Sequence, residues 1–155
     1  MNFTIFCQTY KDECKETAGT FSHDGPIVLN YQLRTQLIQV NSLINDQIAP
    51  DANKKGLPGI DPWLLSPISG NCADYAVTKR HYLLQLGWPS AALLLVRVET
   101  TTGGGHLVLL VRTRQVDLIL DNLNPSVMPI SAVNYNFVLI QSPEGSMYWR
   151  RALTK

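Results

Sequence analysis

The sequence predicts an α+β fold in which N-terminal helices pack on an antiparallel β-sheet of about five strands. Two observations support this class. In the first half of the chain, apolar residues recur at helical spacing, whereas beyond Pro89 short apolar runs alternate with turns. An antiparallel sheet can carry helices on one face, so the earlier helices have a place to pack.

Five apolar runs in the last part of the chain have extended character and are separated by short turns. The predicted strands are Ala92–Glu99, Leu107–Thr113, Leu118–Asn122, Phe137–Gln141 and Met147–Arg151. The triple glycine that precedes His106 predicts a flexible connection between the first two strands.

Length and composition predict a single domain over residues 1–155, because 45% of the residues are hydrophobic and can fill one core. We divide it into an N-terminal arm (1–30), a helical part (31–89) and a β-sheet part (90–155). A net charge of +1 gives no electrostatic reason to expect a nucleic-acid partner. We expect no transmembrane segment, since Arg97 and Arg112 interrupt the two longest apolar runs.

Two helices are predicted in the helical part. The first runs from Tyr31 to Ile48, with an apolar stripe formed by Leu33, Leu37, Val40, Ile44 and Ile48. Asn41 and Asn45 lie one turn apart on it, either near a cleft or on an exposed face. The prolines and glycines between Pro50 and Pro67 predict a structured loop.

The second helix begins at a cysteine. Asn71 is a favourable N-cap and Asp74 fits the acidic position of a capping box, which places Cys72 in the first turn; Gly87 marks the end. The unpaired N–H groups and the helix dipole favour the thiolate at such a position. Cys72 is therefore the candidate nucleophile.

A histidine and an aspartate in the sheet part complete a thiol site. A two-residue or four-residue turn after Arg112 pairs that residue with Asp117, and His106 then lies diagonal to Asp121 on the same face, about 7 Å away at the backbone. A three-residue loop would separate them. The order Cys72, His106, Asp121 is typical of papain-like and transglutaminase-like thiol enzymes.

The other polar residues are expected to have structural roles. Lys79, Arg80 and His81 predict a solvated basic face on the second helix, and His81 points away from Cys72. His23 is expected in a surface loop. The three cysteines and three histidines show no CxxC or HExxH spacing, so no metal site is predicted from them.

From Val40 to Trp149 the chain resembles the bacterial transglutaminase-like cysteine peptidases. The matching pieces are VNSLIND, GIDPWLLSP, GNCADYAVTKRHYLLQLGWP, GGGHLVLLVRT and DLILDNLNPSVMP. The best-known member of this family is a periplasmic protease that clips large biofilm adhesins. The resemblance implies a papain-like/transglutaminase-like fold, with Cys72 as nucleophile, His106 as base and Asp121 as orienting acid.

The resemblance also bears on cofactors. The adhesin-cleaving relatives carry Gly-Asp-Cys-Glu-Asp around the nucleophile and bind calcium with acids there. This chain has Asn71 and Ala73 at the flanking positions and retains Asp74 alone as a weak calcium candidate. Because Ca²⁺ prefers several oxygen ligands, usually with more than one carboxylate, we expect no cofactor.

Cys7 and Cys14 are the remaining cysteines. In a regular helix they lie about 10 Å apart, too far for a disulfide, so a bridge needs a broken N-terminus. Resembling proteins often carry a similarly spaced pair, which implies a disulfide; the alternative is two unconnected thiols in a helical arm. The family implies a periplasmic or secreted protein whose leader has been removed, with a cytoplasmic location as the alternative.

The predicted function is thiol-dependent hydrolysis of a protein or peptide substrate by a cysteine endopeptidase. Candidate oxyanion donors are the Cys72 backbone N–H, the Asn71 side chain and the Trp63 indole, although a core anchor is the favoured role for Trp63. One alternative is a glutamine deamidase or transglutaminase that uses the same triad. The other is a non-catalytic binding module with a relic site.

Overall fold

The N-terminal arm is a helix that breaks after two turns. The computed structural model describes residues 2–21, 25–51, 53–54 and 62–152. Helix α1 spans Asn2–Thr9, and a 3₁₀ turn follows over Lys11–Cys14. The break brings Cys7 and Cys14 together in a disulfide with Cα atoms 5.7 Å apart. The structure thus has the broken start that a bridge between these residues requires.

Helix α2 spans Tyr31–Gln47 and begins at Asn30, whose Oδ1 accepts a hydrogen bond from the Leu33 N–H at 2.8 Å. Leu37, Val40 and Ile44 are buried, as the apolar stripe predicts. Two short strands, β1 (Ala49–Pro50) and β2 (Ser69–Gly70), pair in parallel.

Helix α3 spans Cys72–Gln85 and ends ahead of Gly87, whose φ of +91° lies in the left-handed region that favours glycine. Its first nine residues, Cys72 to Arg80, are all buried. The prediction of a solvated basic face on this helix is therefore wrong. The helix lies between α2 and the sheet, so no side of its first half faces water.

Arg80 shows how the buried charge is accommodated. Its Nε donates to the Leu93 carbonyl at 3.2 Å and its Nη1 donates to the Glu13 carbonyl at 2.5 Å. The Glu13 side chain in turn lies 2.5 Å from Nδ1 of His81. These residues tie the N-terminal arm to α3, which explains why the basic cluster is not solvated.

The sheet has six antiparallel strands in the order β6-β5-β4-β3-β7-β8. They are β3 (Leu93–Glu99), β4 (Gly105–Val111), β5 (Leu118–Leu120), β6 (Met128–Pro129), β7 (Asn136–Ser142) and β8 (Gly145–Arg151). The predicted α+β class is confirmed. The strand beyond the expected five is β6, a two-residue edge strand too short to give a sequence pattern.

Both faces of the central strands are buried. Leu93, Leu95 and Leu109 face the main core with α2 and α3, whereas Val96 and Leu110 face a second core closed by the segment that contains Val133. This cover explains why β3 and β4 are apolar along their length. None of the helices in the described ranges is long and apolar enough to cross a membrane.

Part of the predicted loop between Pro50 and Pro67, residues 52 and 55–61, lies outside the described residues, as does His23. Trp63 is described and buried, with its ring centroid 6.0 Å from that of Phe3. The end of this loop therefore packs against α1.

Candidate active site

The start of α3 is fixed by a reciprocal capping box. Asn71 Oδ1 accepts from the Ala73 N–H at 3.1 Å, and Asp74 Oδ2 accepts from the Asn71 N–H at 2.9 Å. Cys72 follows the cap as the first helical residue. It is the free cysteine of the described chain, and it is 6% exposed. The local sequence therefore places a thiol at a helix N-terminus with a defined orientation.

The β4–β5 hairpin has the register that the sequence predicts. Leu110 pairs with Ile119 and Val111 with Leu118, which is the parity that puts His106 and Asp121 on one face. The His106 Nε2 lies 2.8 Å from Asp121 Oδ1. Both side chains are buried.

The imidazole of His106 joins the carboxylate to the thiol. Its Nε2 is engaged by Asp121, and the Cys72 side chain lies close enough to act on the pKa of the ring, so Nδ1 is the nitrogen left for the sulfur. Burial alone would lower the pKa of His106, but the hydrogen bonds and negative charges of Asp121 and Cys72 outweigh it and raise the pKa to about 9. At neutral pH the geometry therefore favours an imidazolium.

Asp121 receives three hydrogen bonds. Oδ1 accepts from His106 and from the Leu123 N–H at 3.0 Å, and Oδ2 accepts from the Tyr135 hydroxyl at 2.5 Å. Burial alone would raise the pKa of Asp121, but these donors and the His106 charge lower it below its ordinary value. The carboxylate is therefore held in its charged form.

Tyr135 is the site residue that sequence reasoning missed. It lies outside the regular strands, between a 3₁₀ turn and β7, and no motif distinguishes it. Burial and the neighbouring Asp121 carboxylate raise the pKa of its hydroxyl, which therefore stays protonated as a donor. Its ring lies at a steep angle to the His106 ring, with centroids 5.7 Å apart.

Helix α2 contributes two asparagines that hold the turn after β5. Asn45 Nδ2 donates to the Asp121 carbonyl at 3.0 Å, and Asn41 Nδ2 donates to the Pro125 carbonyl at 3.1 Å. Of the two alternatives for this pair, the structure has the one near the site. The turn that carries Asp121 is thereby attached to the helical layer.

A cavity of about 310 Å³ opens over the thiol and the imidazole. Its lining includes glycines on two sides and charged side chains at its rim. The lining residues are Pro50, Asp51, Lys54, Gly70, Asn71, Cys72, Tyr75, Thr100, Gly104, Gly105, His106, Asn122 and Leu123. Asn71 is thus placed at the cavity, whereas Trp63 is not among its walls and packs against Phe3 instead.

The residues around Cys72 do not fit a calcium site built from several carboxylates. Both oxygens of Asp74 accept backbone hydrogen bonds, Oδ1 from Leu64 at 2.7 Å and Oδ2 from Asn71 at 2.9 Å. Ala73 is fully buried and has no side-chain oxygen. Within the described ranges, no three His, Cys, Asp or Glu side chains are grouped to hold a metal ion.

Solved structures of LapG from Legionella pneumophila have a similar fold. The EGTA-treated structure has a TM-score of 0.63 at 24% identity, covering 99% of this chain and 77% of LapG. The calcium-bound structure has a TM-score of 0.61 at 23% identity, covering 99% and 82%. A third LapG structure has a TM-score of 0.61 at 24% identity, covering 99% and 80%. None of the curated proteins matches the chain.

The family comparison extends over the whole sequence. Residues 1–155 match the family described as bacterial transglutaminase-like cysteine proteinase (BTLCP). This match confirms the resemblance that the sequence blocks around Cys72, His106 and Asp121 indicate. The chain therefore belongs to the bacterial transglutaminase-like cysteine proteinases and is a cysteine peptidase of that type.

Proposed function

We propose that the protein is a cysteine endopeptidase that cleaves a protein or peptide substrate with a Cys72–His106–Asp121 triad. One observation carries the proposal: a buried imidazole lies beside a carboxylate that accepts three hydrogen bonds, and the Cys72 side chain at the first residue of α3 is close enough to raise the pKa of that imidazole. Neither contact alone is diagnostic. Their combination in a cavity that opens to solvent is what thiol-based acyl transfer requires.

The chemistry follows from these contacts. With the Cys72 proton already on His106, the thiolate attacks the carbonyl carbon of the scissile amide. His106, now an imidazolium, protonates the leaving amine and so releases the first product. A water molecule, activated by the neutral His106, then hydrolyses the thioester and restores the thiol. Asp121 keeps the ring oriented and balances its positive charge throughout.

The tetrahedral intermediate needs donors for its oxyanion. The Cys72 backbone N–H is the first choice, because N–H groups at a helix start have no intrahelical partner. The Asn71 amide group is the second, since its Oδ1 is occupied by the cap and its Nδ2 is the donor end. Trp63 is the weakest of the three, as its packing against Phe3 supports the core-anchor alternative.

Two further features belong to the proposal. The disulfide between Cys7 and Cys14 supports a periplasmic or secreted location, where disulfides persist, over the cytoplasmic alternative. The engagement of both Asp74 oxygens supports activity without a calcium cofactor.

N-terminal proteomics tests the proposal. The wild-type chain and Cys72→Ser are incubated with a denatured bacterial proteome, and new N-termini are labelled and sequenced by mass spectrometry. New N-termini that depend on Cys72 support an endopeptidase. Conversion of glutamine to glutamate without new N-termini supports the deamidase alternative. If neither product depends on Cys72, the binding-module alternative is the one supported. Either of the last two results overturns the proposal.

A further inference from the structure

The hydrogen bond from Tyr135 to Asp121 takes no part in the proton transfers of the proposed reaction. The Tyr135 hydroxyl donates to Asp121 Oδ2 at 2.5 Å, while its ring lies with its centroid 5.7 Å from that of His106. A single half-buried side chain therefore touches both the acid and the base. Tyr135 does not line the cavity over Cys72, so contact with substrate does not explain it.

We propose that Tyr135 is a positioning residue for His106 that acts through Asp121, by fixing the second oxygen of the carboxylate. The inference rests on the proposed triad and extends it by one residue. Tyr135 does not line the cavity and contacts Asp121 and His106, so its influence on the reaction passes through the carboxylate and the imidazole.

The geometry explains why a second anchor is needed. Both other donors, His106 Nε2 and the Leu123 N–H, use the same oxygen, Oδ1. Two donors on one oxygen leave the carboxylate able to rotate about its Cβ–Cγ bond, and Oδ2 would lie in a buried site without a partner. The Tyr135 hydroxyl satisfies Oδ2 and fixes that rotation, which sets the direction in which Oδ1 faces the imidazole.

The hydrogen bond from Tyr135 also affects the pKa of Asp121. A hydroxyl that donates to a carboxylate stabilises the charged form, so it lowers the pKa of Asp121. The charged groups that face Asp121 are His106 and, from α3, Lys79. When the hydroxyl is removed, Asp121 takes up a proton at a higher pH. The His106 imidazolium then loses its negatively charged partner at that higher pH.

The pH profile of Cys72 alkylation by iodoacetamide measures this effect. In Tyr135→Phe, which keeps the ring, we expect the acid-side decline of the alkylation rate to move up by about one pH unit. Within that declining range we expect the Tyr135→Phe rate to be up to roughly tenfold below the wild-type rate at the same pH. The matched control is Tyr148→Phe, because Tyr148 is 68% exposed and belongs to β8. A residue that only supports the fold would lower the rate without moving the profile.

A second readout does not depend on the thiol. Carbon-13 NMR titration of the Asp121 carboxyl is expected to show its protonation at higher pH in Tyr135→Phe than in the wild type. If the wild-type thiol is alkylated slowly while this shift is present, the proposed function fails but the hold of Tyr135 on Asp121 stands. If the Asp121 titration is the same in both proteins, the inference is overturned even where Cys72 is reactive.

Discussion

Lys79 is a buried ammonium group for which the structure provides little compensation. Its side chain is fully buried in α3, and Nζ has no hydrogen-bond partner among the described residues. The ammonium lies over the ring of Tyr75, 5.9 Å from its centroid. Burial lowers the pKa of Lys79 from 10.5 to about 7, although attraction to Asp121 works in the opposite direction.

Lys79→Met removes the ammonium and leaves an unbranched side chain that is one heavy atom shorter. At 1.36 kcal/mol per pH unit, the difference between 10.5 and about 7 corresponds to roughly 5 kcal/mol of destabilisation in the wild type, as an upper bound. The full penalty applies below about pH 7, where the folded and unfolded chains both carry the proton. From about pH 7 to 10.5 only the unfolded chain does, so wild-type stability gains from this group as the pH rises.

Urea unfolding of the wild type and Lys79→Met between about pH 6 and pH 10 measures the stability difference and its dependence on pH. We expect Lys79→Met to be more stable than the wild type by about 2 to 5 kcal/mol near pH 6, with the difference shrinking as the pH rises. Lys15→Met is the matched control, because that side chain is 72% exposed. A Lys79→Met variant that is less stable near pH 6, or whose advantage does not vary with pH, would refute the reasoning.

Three other predictions follow from contacts around the site. Gly70→Ala places a Cβ 2.4 Å from Asp74 Oδ2, so we expect a loss of about 1 to 3 kcal/mol in urea unfolding, whereas Gly104→Ala, with its nearest neighbour 3.5 Å away, should change stability little. Asn45→Ala removes the hydrogen bond to the Asp121 carbonyl. We expect it to lower the free energy of unfolding by about 1 to 2 kcal/mol and to slow peptide cleavage. Unchanged values in both assays would show that this bond does not hold the turn. Because both Asp74 oxygens accept backbone N–H groups, EGTA is expected to leave the cleavage rate unchanged, and a rate that falls with EGTA and returns with added calcium would show the opposite.

Features that depend on local chemistry could be predicted from the sequence. The capping box at Asn71 and Asp74 involves neighbours on the chain, and it determines where α3 and Cys72 begin. The relation of His106 to Asp121 depends on strand parity, which the length of one turn decides. Both are short-range constraints, so the position of Cys72 and the pairing of His106 with Asp121 could be predicted.

Features that depend on distant segments were not accessible. Lys79 and Arg80 have the pattern of a solvated face, yet α2, the sheet and the N-terminal arm cover them from different parts of the chain. Tyr135 lies in an irregular segment, where no periodicity shows which way a side chain points. The asparagine pair on α2 was ambiguous for the same reason, because its partners lie 76 to 84 residues away.

The most direct test of the triad is the ultraviolet absorbance of the thiolate as a function of pH. Two of the three cysteines are joined in the N-terminal disulfide, so the signal comes from Cys72. We predict a weaker thiolate signal in His106→Ala than in the wild type at the same near-neutral pH, because the imidazolium that balances the thiolate is missing, with Cys72→Ser as the blank. Identical titrations of the wild type and His106→Ala would contradict the claim that sulfur, imidazole and carboxylate act together.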